Sequence, residues 1–138
     1  MGTIFSCCKN KAESLISSPE NETPAAAAPS TILTFHSEKA WKEHWETNQN
    51  STKLMVIHFT ASWCGPCRFI EPVIKEFAAK FTDIMFAKID IDELQSVAKE
   101  WKVEAVPTFV FVKKGIEVDK VVGANKEELE KKIGEQRF

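Results

Sequence analysis

Cys64 and Cys67, separated only by Gly65-Pro66, are the residues of this 138-residue chain whose types and spacing point most directly to chemistry. They lie in the run Ala61-Ser62-Trp63-Cys64-Gly65-Pro66-Cys67-Arg68, where an apolar strand gives way to a helix. Cys64 is therefore expected at a helix N-terminus. Unpaired N–H groups and the macrodipole favour negative charge there, so the thiol pKa falls and the thiolate, the attacking species, is populated near neutral pH. Arg68 adds a nearby positive charge. Cys67, one helical turn later, is expected to be more buried and less acidic. The pair can form and break a disulfide: Cys64 attacks a foreign disulfide, and Cys67 then attacks the Cys64 sulfur. Gly65 leaves room for a partner chain. Pro66 suits a first helical turn, where a missing N–H costs little. It offers the thiolate neither charge nor hydrogen bond, which leans the site toward a reductant.

Two other uses of the pair stand beside this one. Half of a zinc site would need further ligands, but no second paired cysteine cluster exists and His36, His44 and His58 are scattered. Two inert core cysteines would leave Trp63, Gly65 and Pro66 unexplained.

The elements that must position the cysteines alternate between strand and helix. Thr31 to Phe35 is a short β-prone run. Ser37 is a candidate N-cap for a helix through about Asn48, with Trp41 and Trp45 on one face. Leu54 to Thr60 is almost continuously apolar, as in a strand buried on both faces. A helix from about Cys64 to Phe81 contains Pro72, which predicts a kink. Ile84 to Ile91 is a second buried strand and Leu94 to Trp101 a short helix. Thr108 to Val112 and Glu117 to Val122 are strands joined by a turn at Lys114-Gly115. Lys126 to Gln136 closes the chain as a helix. This order predicts an α/β fold with a central mixed sheet covered by helices on both faces. Pro107 opens a buried-looking strand. From the bare sequence a trans proline at the first strand position is favoured over a cis Val106–Pro107 bond, since only about 5–6% of X–Pro bonds are cis.

Residues 1–30 read differently from 31–138. Pro19, Pro24 and Pro29 interrupt helix formation, and few large apolar side chains offset the entropy of ordering, so a flexible extension precedes one domain. Met1-Gly2-Thr3-Ile4-Phe5-Ser6 matches the N-myristoylation pattern at Gly2. Cys7 and Cys8 follow as palmitoylation candidates, and Lys9 and Lys11 supply charge for anionic lipid. One acyl chain binds membranes marginally and a second signal makes the binding stable. The alternative is a plain disordered start. The first residues lack the long apolar core of a secretory signal, and no run approaches the roughly 18 apolar residues of a membrane span, so a cytoplasmic protein, membrane-associated through its N-terminus, is expected. A net charge of -2 gives no global positive field for nucleic acid. No nucleotide loop or metal cluster is evident. No separate cofactor is expected, and the dithiol itself would carry the electrons.

The stretch Trp63-Cys64-Gly65-Pro66-Cys67, with Phe59, Pro72, Pro107 and Gly123-Ala124, resembles the thioredoxin family from about Thr31 to the C-terminus. Phe59-Thr60-Ala61-Ser62-Trp63 with Arg68-Phe69-Ile70 is similar to the plant h-type branch, and the extended start resembles its membrane-associated subgroup. The resemblance implies a thioredoxin fold, protein-disulfide reductase activity and a cis Pro107 beside the cysteines, against the base rate. It implies electrons from an NADPH-dependent, flavin-containing thioredoxin reductase, or from glutathione and glutaredoxin. It also implies a substrate surface of Trp63, Gly65, Pro66, Val106, Pro107, Gly123 and Ala124. His58 departs from the pattern, because the family usually carries there a buried Asp that manages the proton of the second cysteine. A neutral, buried His58 is expected either to fill space or to accept that proton as a base. Disulfide isomerase or oxidase activity, and a membrane-tethered binding module without redox chemistry, are the competing functions.

Overall fold

The computed structural model describes residues 32–137. The expected boundary near residue 30 and the lipidation candidates Gly2, Cys7 and Cys8 lie outside the described residues. Strand β1 (Ile32–Phe35) leads into α1 (Glu38–Asn48), then β2 (Met55–Thr60), α2 (Gly65–Lys80), β3 (Met85–Asp90), α3 (Gln95–Glu100), β4 (Thr108–Lys113), β5 (Ile116–Val122) and α4 (Lys126–Gln136). The five strands form one sheet in the order β1-β3-β2-β4-β5. β3 pairs in parallel with both β1 and β2, whereas β4 runs antiparallel to β2 and β5. The sheet is therefore mixed, as the element order predicts.

Period-two alternation divides the core between the two sheet faces. Val56 of β2 and Phe109 and Phe111 of β4 pack with Ile70, Ile74 and Phe77 of α2 and with Leu129 and Ile133 of α4. Met55, Ile57 and Phe59 of β2, with Val110 and Val112 of β4, face the other way, toward Trp41 of α1, Leu94 and Val97. Every residue of β2 is buried, which is why its sequence reads as a continuous apolar run. Each fully buried Phe, Leu or Ile contributes about 2 kcal/mol of hydrophobic stabilisation.

The ends of the elements follow from local chemistry. The Ala40 N–H donates to the Ser37 hydroxyl at the start of α1, as expected of an N-cap. Asn125 does the same for α4 by accepting from the Glu128 N–H. The β4–β5 hairpin turns at Lys114 (φ 55°) and Gly115 (φ 76°), the pair of positive φ values that matches a two-residue turn to strand twist. A Cβ at Gly115 would stand 3.1 Å from the Gln49 carbonyl, so this turn also packs closely on the loop after α1. Helix α2 begins and ends one residue inside the expected span, because Cys64 and Phe81 serve as its caps, and Pro72 sits within it. Leu94 and Trp101 likewise flank α3 rather than belong to it.

Among the described residues the buried polar side chains are His58, Thr60 and Thr108, and His58 is the ionisable one. His58 is 2% exposed, in the middle of β2. Burial, then the positive charge of Lys88, lower its pKa to about 4, and Glu71 opposes the shift. The unfolded chain therefore takes up a proton as pH falls through about 6.5, while the folded chain does not until about pH 4. His58 thus contributes stability that is complete above pH 6.5 and is lost between pH 6.5 and 4, by roughly 3 kcal/mol for a shift of this size. Urea unfolding of wild type and His58→Leu across pH 4 to 7 checks this. The stability of wild type is expected to fall more steeply with acid, and parallel slopes would contradict the shift.

Candidate functional site

The parallel strands β2 and β3 end at the same edge of the sheet, with Thr60 opposite Asp90. The chain leaves β2, turns through Ala61-Ser62-Trp63, and enters α2 with Cys64 as its N-cap. The Cys67 N–H donates to the Cys64 sulfur at 3.1 Å. The Cys64 sulfur thus occupies the acceptor position that a Ser or Asp side chain normally fills at a helix N-terminus. The two cysteines are joined as a disulfide with Sγ–Sγ 2.28 Å and Cα–Cα 5.3 Å. Both are buried, Cys67 at 1% exposure and Cys64 at 4%. Arg68 donates to the Ser62 carbonyl at 2.7 Å, so its guanidinium braces the turn before the nucleophile.

Several of the expected surface residues are brought to this edge. The Val106–Pro107 bond is cis. That agrees with the implication of the resemblance and overturns the base-rate preference for trans; the strand begins at Thr108, after the proline. The Val106 carbonyl oxygen lies 3.6 Å from the Cys64 sulfur. Ala61, Cys64 and Cys67 form a small apolar cluster against which Ile91 and Val106 pack. The Gly123 N–H donates to the Pro107 carbonyl at 2.9 Å, tying the loop after β5 to the cis-proline loop. Gly123 has φ 104°, a conformation that side-chain-bearing residues rarely adopt. Gly65 and Pro66 are exposed, Val106, Gly123 and Ala124 half-buried, and Pro107 buried. Trp63 is 65% exposed, yet its indole N–H donates to the Asp92 carboxylate at 2.8 Å.

Asp92 and Phe69 are absent from the sequence-derived set. Asp92 follows β3, and the parallel pairing of β2 with β3 brings it beside Trp63. That signal becomes readable only once the strands are paired. Phe69, on α2, is 75% exposed, the highest exposure among the large apolar side chains described.

His58 does not sit at the mouth of the site. Its ring stacks on Phe109 with centroids 4.6 Å apart, and its Nε2 is buried without a hydrogen-bond partner. It lies at the base of a pocket of about 150 Å³ that opens to solvent and is lined also by Ile32, Thr34, Glu71, Ile74, Lys75 and Lys88. Lys88 donates to Glu71 at 2.6 Å, and this hydrogen bond is the leading cause of a Glu71 pKa below the ordinary carboxylate value. At neutral pH the pocket thus holds a neutral imidazole beside a part-exposed ion pair. Among the described residues no cluster of three or more His, Cys, Asp or Glu side chains could hold a metal ion.

The family model described as "Thioredoxin" matches residues 34–135. Thioredoxin H2-1 of Oryza sativa subsp. japonica is 50% identical over 140 residues, covering 99% of this chain and 93% of that protein. Thioredoxin H2 of Arabidopsis thaliana is 50% identical over 122 residues, covering 87% of this chain and 92% of that protein. The crystal structure of thioredoxin NaTrxh from Nicotiana alata superposes with a TM-score of 0.77 at 49% identity, covering 83% of this chain and all of that one. With the cysteine geometry, these likenesses place the chain in the thioredoxin family, close to the plant h-type members, as a thiol–disulfide oxidoreductase that reduces protein disulfides with the Cys64–Cys67 dithiol.

Proposed function

We propose a division of labour within this activity in which Cys64 attacks the target disulfide and Cys67 releases the product. The observation that carries it is the Cys67 N–H donated to the Cys64 sulfur at the start of α2. That contact and the helix N-terminus favour a thiolate on Cys64, and Cys67 lies one turn inside. The attack forms a bond from Cys64 to one target sulfur and expels the other as a thiolate. Cys67, having lost its proton, then attacks the Cys64 sulfur, leaving Cys64–Cys67 oxidised and the target fully reduced. Trp63, Gly65, Pro66, Val106, Pro107, Gly123 and Ala124 form the surface on which the target lies, with Asp92 orienting Trp63. Two electrons from thioredoxin reductase and NADPH, or from glutathione and glutaredoxin, restore the dithiol. The dithiol is the only redox group this scheme uses. Cys67→Ser is expected to trap target proteins as stable mixed disulfides, and Cys64→Ser to trap almost none and to lose insulin reduction. Trapping by both variants, read on non-reducing gels, would refute the assignment.

His58 serves in this scheme as the proton acceptor for Cys67, directly or through one water. Its unpartnered Nε2 and its neutral state at pH 7 support that role. With a pKa about 4, holding a proton at pH 7 costs roughly 4 kcal/mol. That cost fits within the ~16 kcal/mol barrier of a step that turns over tens of times per second, and it makes His58 a weak base. Resolution of the mixed disulfide is therefore expected to lose this assistance only as pH falls through about 4. His58→Leu is expected to slow resolution about tenfold at pH 7 and to leave the attack by Cys64 within about twofold, since general-base assistance acts on the second step alone. Rapid-mixing kinetics of both steps separate the two, and a wild-type resolution rate in the variant would make His58 a packing residue.

The N-terminal signals, Gly2 with Cys7 and Cys8, would hold this reductase at a membrane surface by acylation. Among the described residues no helix is long and apolar enough to cross a membrane. Gly2→Ala is expected to release a fluorescent fusion from membranes. Cys7→Ser with Cys8→Ser is expected to weaken retention while myristate remains attached. Membrane retention of the Gly2→Ala protein would refute the anchor.

A further inference from the structure

Helices α1 and α3 pack on the sheet face opposite α2, and a groove of about 280 Å³ lies between them. Three of the chain's four tryptophans, Trp41, Trp45 and Trp101, line it, with Glu38, Glu46 and Glu100 around them. Trp41 is 4% exposed and belongs to the core, but Trp45 and Trp101 are half-buried. The rings of these two meet at 78° with centroids 5.4 Å apart, so two indole planes form a corner. An indole face is electron-rich and attracts a cation that comes within about 6 Å of its centroid. Among the described residues the cation–π contacts are those of Lys80 and Arg137 with Phe81, so the indoles of the groove have none. The Ser96 hydroxyl donates to Glu38, whereas Glu46 and Glu100 have no hydrogen-bond or ion-pair partner among the described residues. Lys42 also lines the groove, so three carboxylates stand against one ammonium and the lining carries net negative charge.

We propose that this groove binds a small alkylated ammonium molecule, its head group seated in the Trp45–Trp101 corner and its charge met by Glu46 and Glu100. The corner decides the kind of cation. A compact, rounded head such as trimethylammonium touches two perpendicular ring faces at once, whereas a flat guanidinium stacks on one. The methyl groups bury apolar surface against the indoles and leave the cation weakly hydrated. A bare ammonium holds its water strongly and carries three donors that indole faces satisfy poorly. The groove falls just below the ~300 Å³ at which pockets for drug-sized molecules begin, which suits a ligand of this size. Because α2 and its cysteines lie across the sheet, the site is separate from the disulfide chemistry and does not depend on how Cys64 and Cys67 divide the work.

The test titrates the full oxidised chain with choline and, separately, with its uncharged carbon isostere, in which a tert-butyl group replaces trimethylammonium. The indole N–H signals in the NMR spectrum report each tryptophan. Choline is expected to shift the signals of Trp45 and Trp101 and to leave that of Trp63 in place, and the isostere to bind about tenfold more weakly. Trp101→Leu is expected to weaken choline about tenfold, and Trp101→Phe to recover most of the loss. Glu46→Gln combined with Glu100→Gln changes only exposed side chains, so folding is kept, and is expected to weaken choline about threefold while leaving the isostere unchanged. Equal binding of choline and the isostere would make the groove a plain apolar pocket and overturn the proposal. So would still signals of Trp45 and Trp101 at roughly 50 mM choline, or undiminished choline binding in the Glu46→Gln, Glu100→Gln protein.

Discussion

The site depends on one connection, the turn that carries the chain from the carboxyl end of β2 into the first turn of α2. It places a sulfur where a helix seeks an acceptor. In most helices that demand is met by an oxygen that takes no further part in chemistry. Here the acceptor is one sulfur of the redox pair, so the Cys67 N–H at the start of the helix is aimed at an atom that takes part in the chemistry. Every other contact at the edge holds this arrangement in place. Arg68 ties the preceding turn to the helix through Ser62, the Val106 carbonyl closes one side, and Asp92 holds the exposed indole of Trp63.

Behind the turn, the charge pattern of the core differs from that of a buried carboxylate. His58 carries no charge at neutral pH, and the carboxylate nearest it, Glu71, is engaged by Lys88. A lone buried anion would oppose formation of a second anion on Cys67 by direct repulsion. A neutral ring beside a closed ion pair leaves this part of the core without an unpaired buried charge.

Much of this was legible in the residues. The apolar run of β2, the Ser37 cap and the Lys114-Gly115 turn announced themselves because each rests on contacts within a few residues along the chain. The Cys64–Cys67 spacing carried its own geometry, since one helical turn suffices to bring the sulfurs together. The cis bond before Pro107 was not readable from local preference, which points to trans, and only the resemblance corrected it. Asp92 escaped notice because its role is set by the parallel pairing of β2 with β3, a contact between segments about thirty residues apart. Glu71 and Lys88 escaped for the same reason. Phe69 was visible in the sequence, but only its exposure separates it from the core aromatics, and a helix with apolar residues on several faces does not announce which face is wet.

Strand β2 occupies the third place of five and is hydrogen-bonded along both of its edges, to β3 and to β4. Strands in that position open last, so their amides exchange with deuterium only through the largest-scale openings of the domain. The cysteines are thus attached to a strand paired on both sides, whereas β1 and β5 each have one unpaired edge. The spacing between the two sulfurs is thus set on a strand that has no free edge.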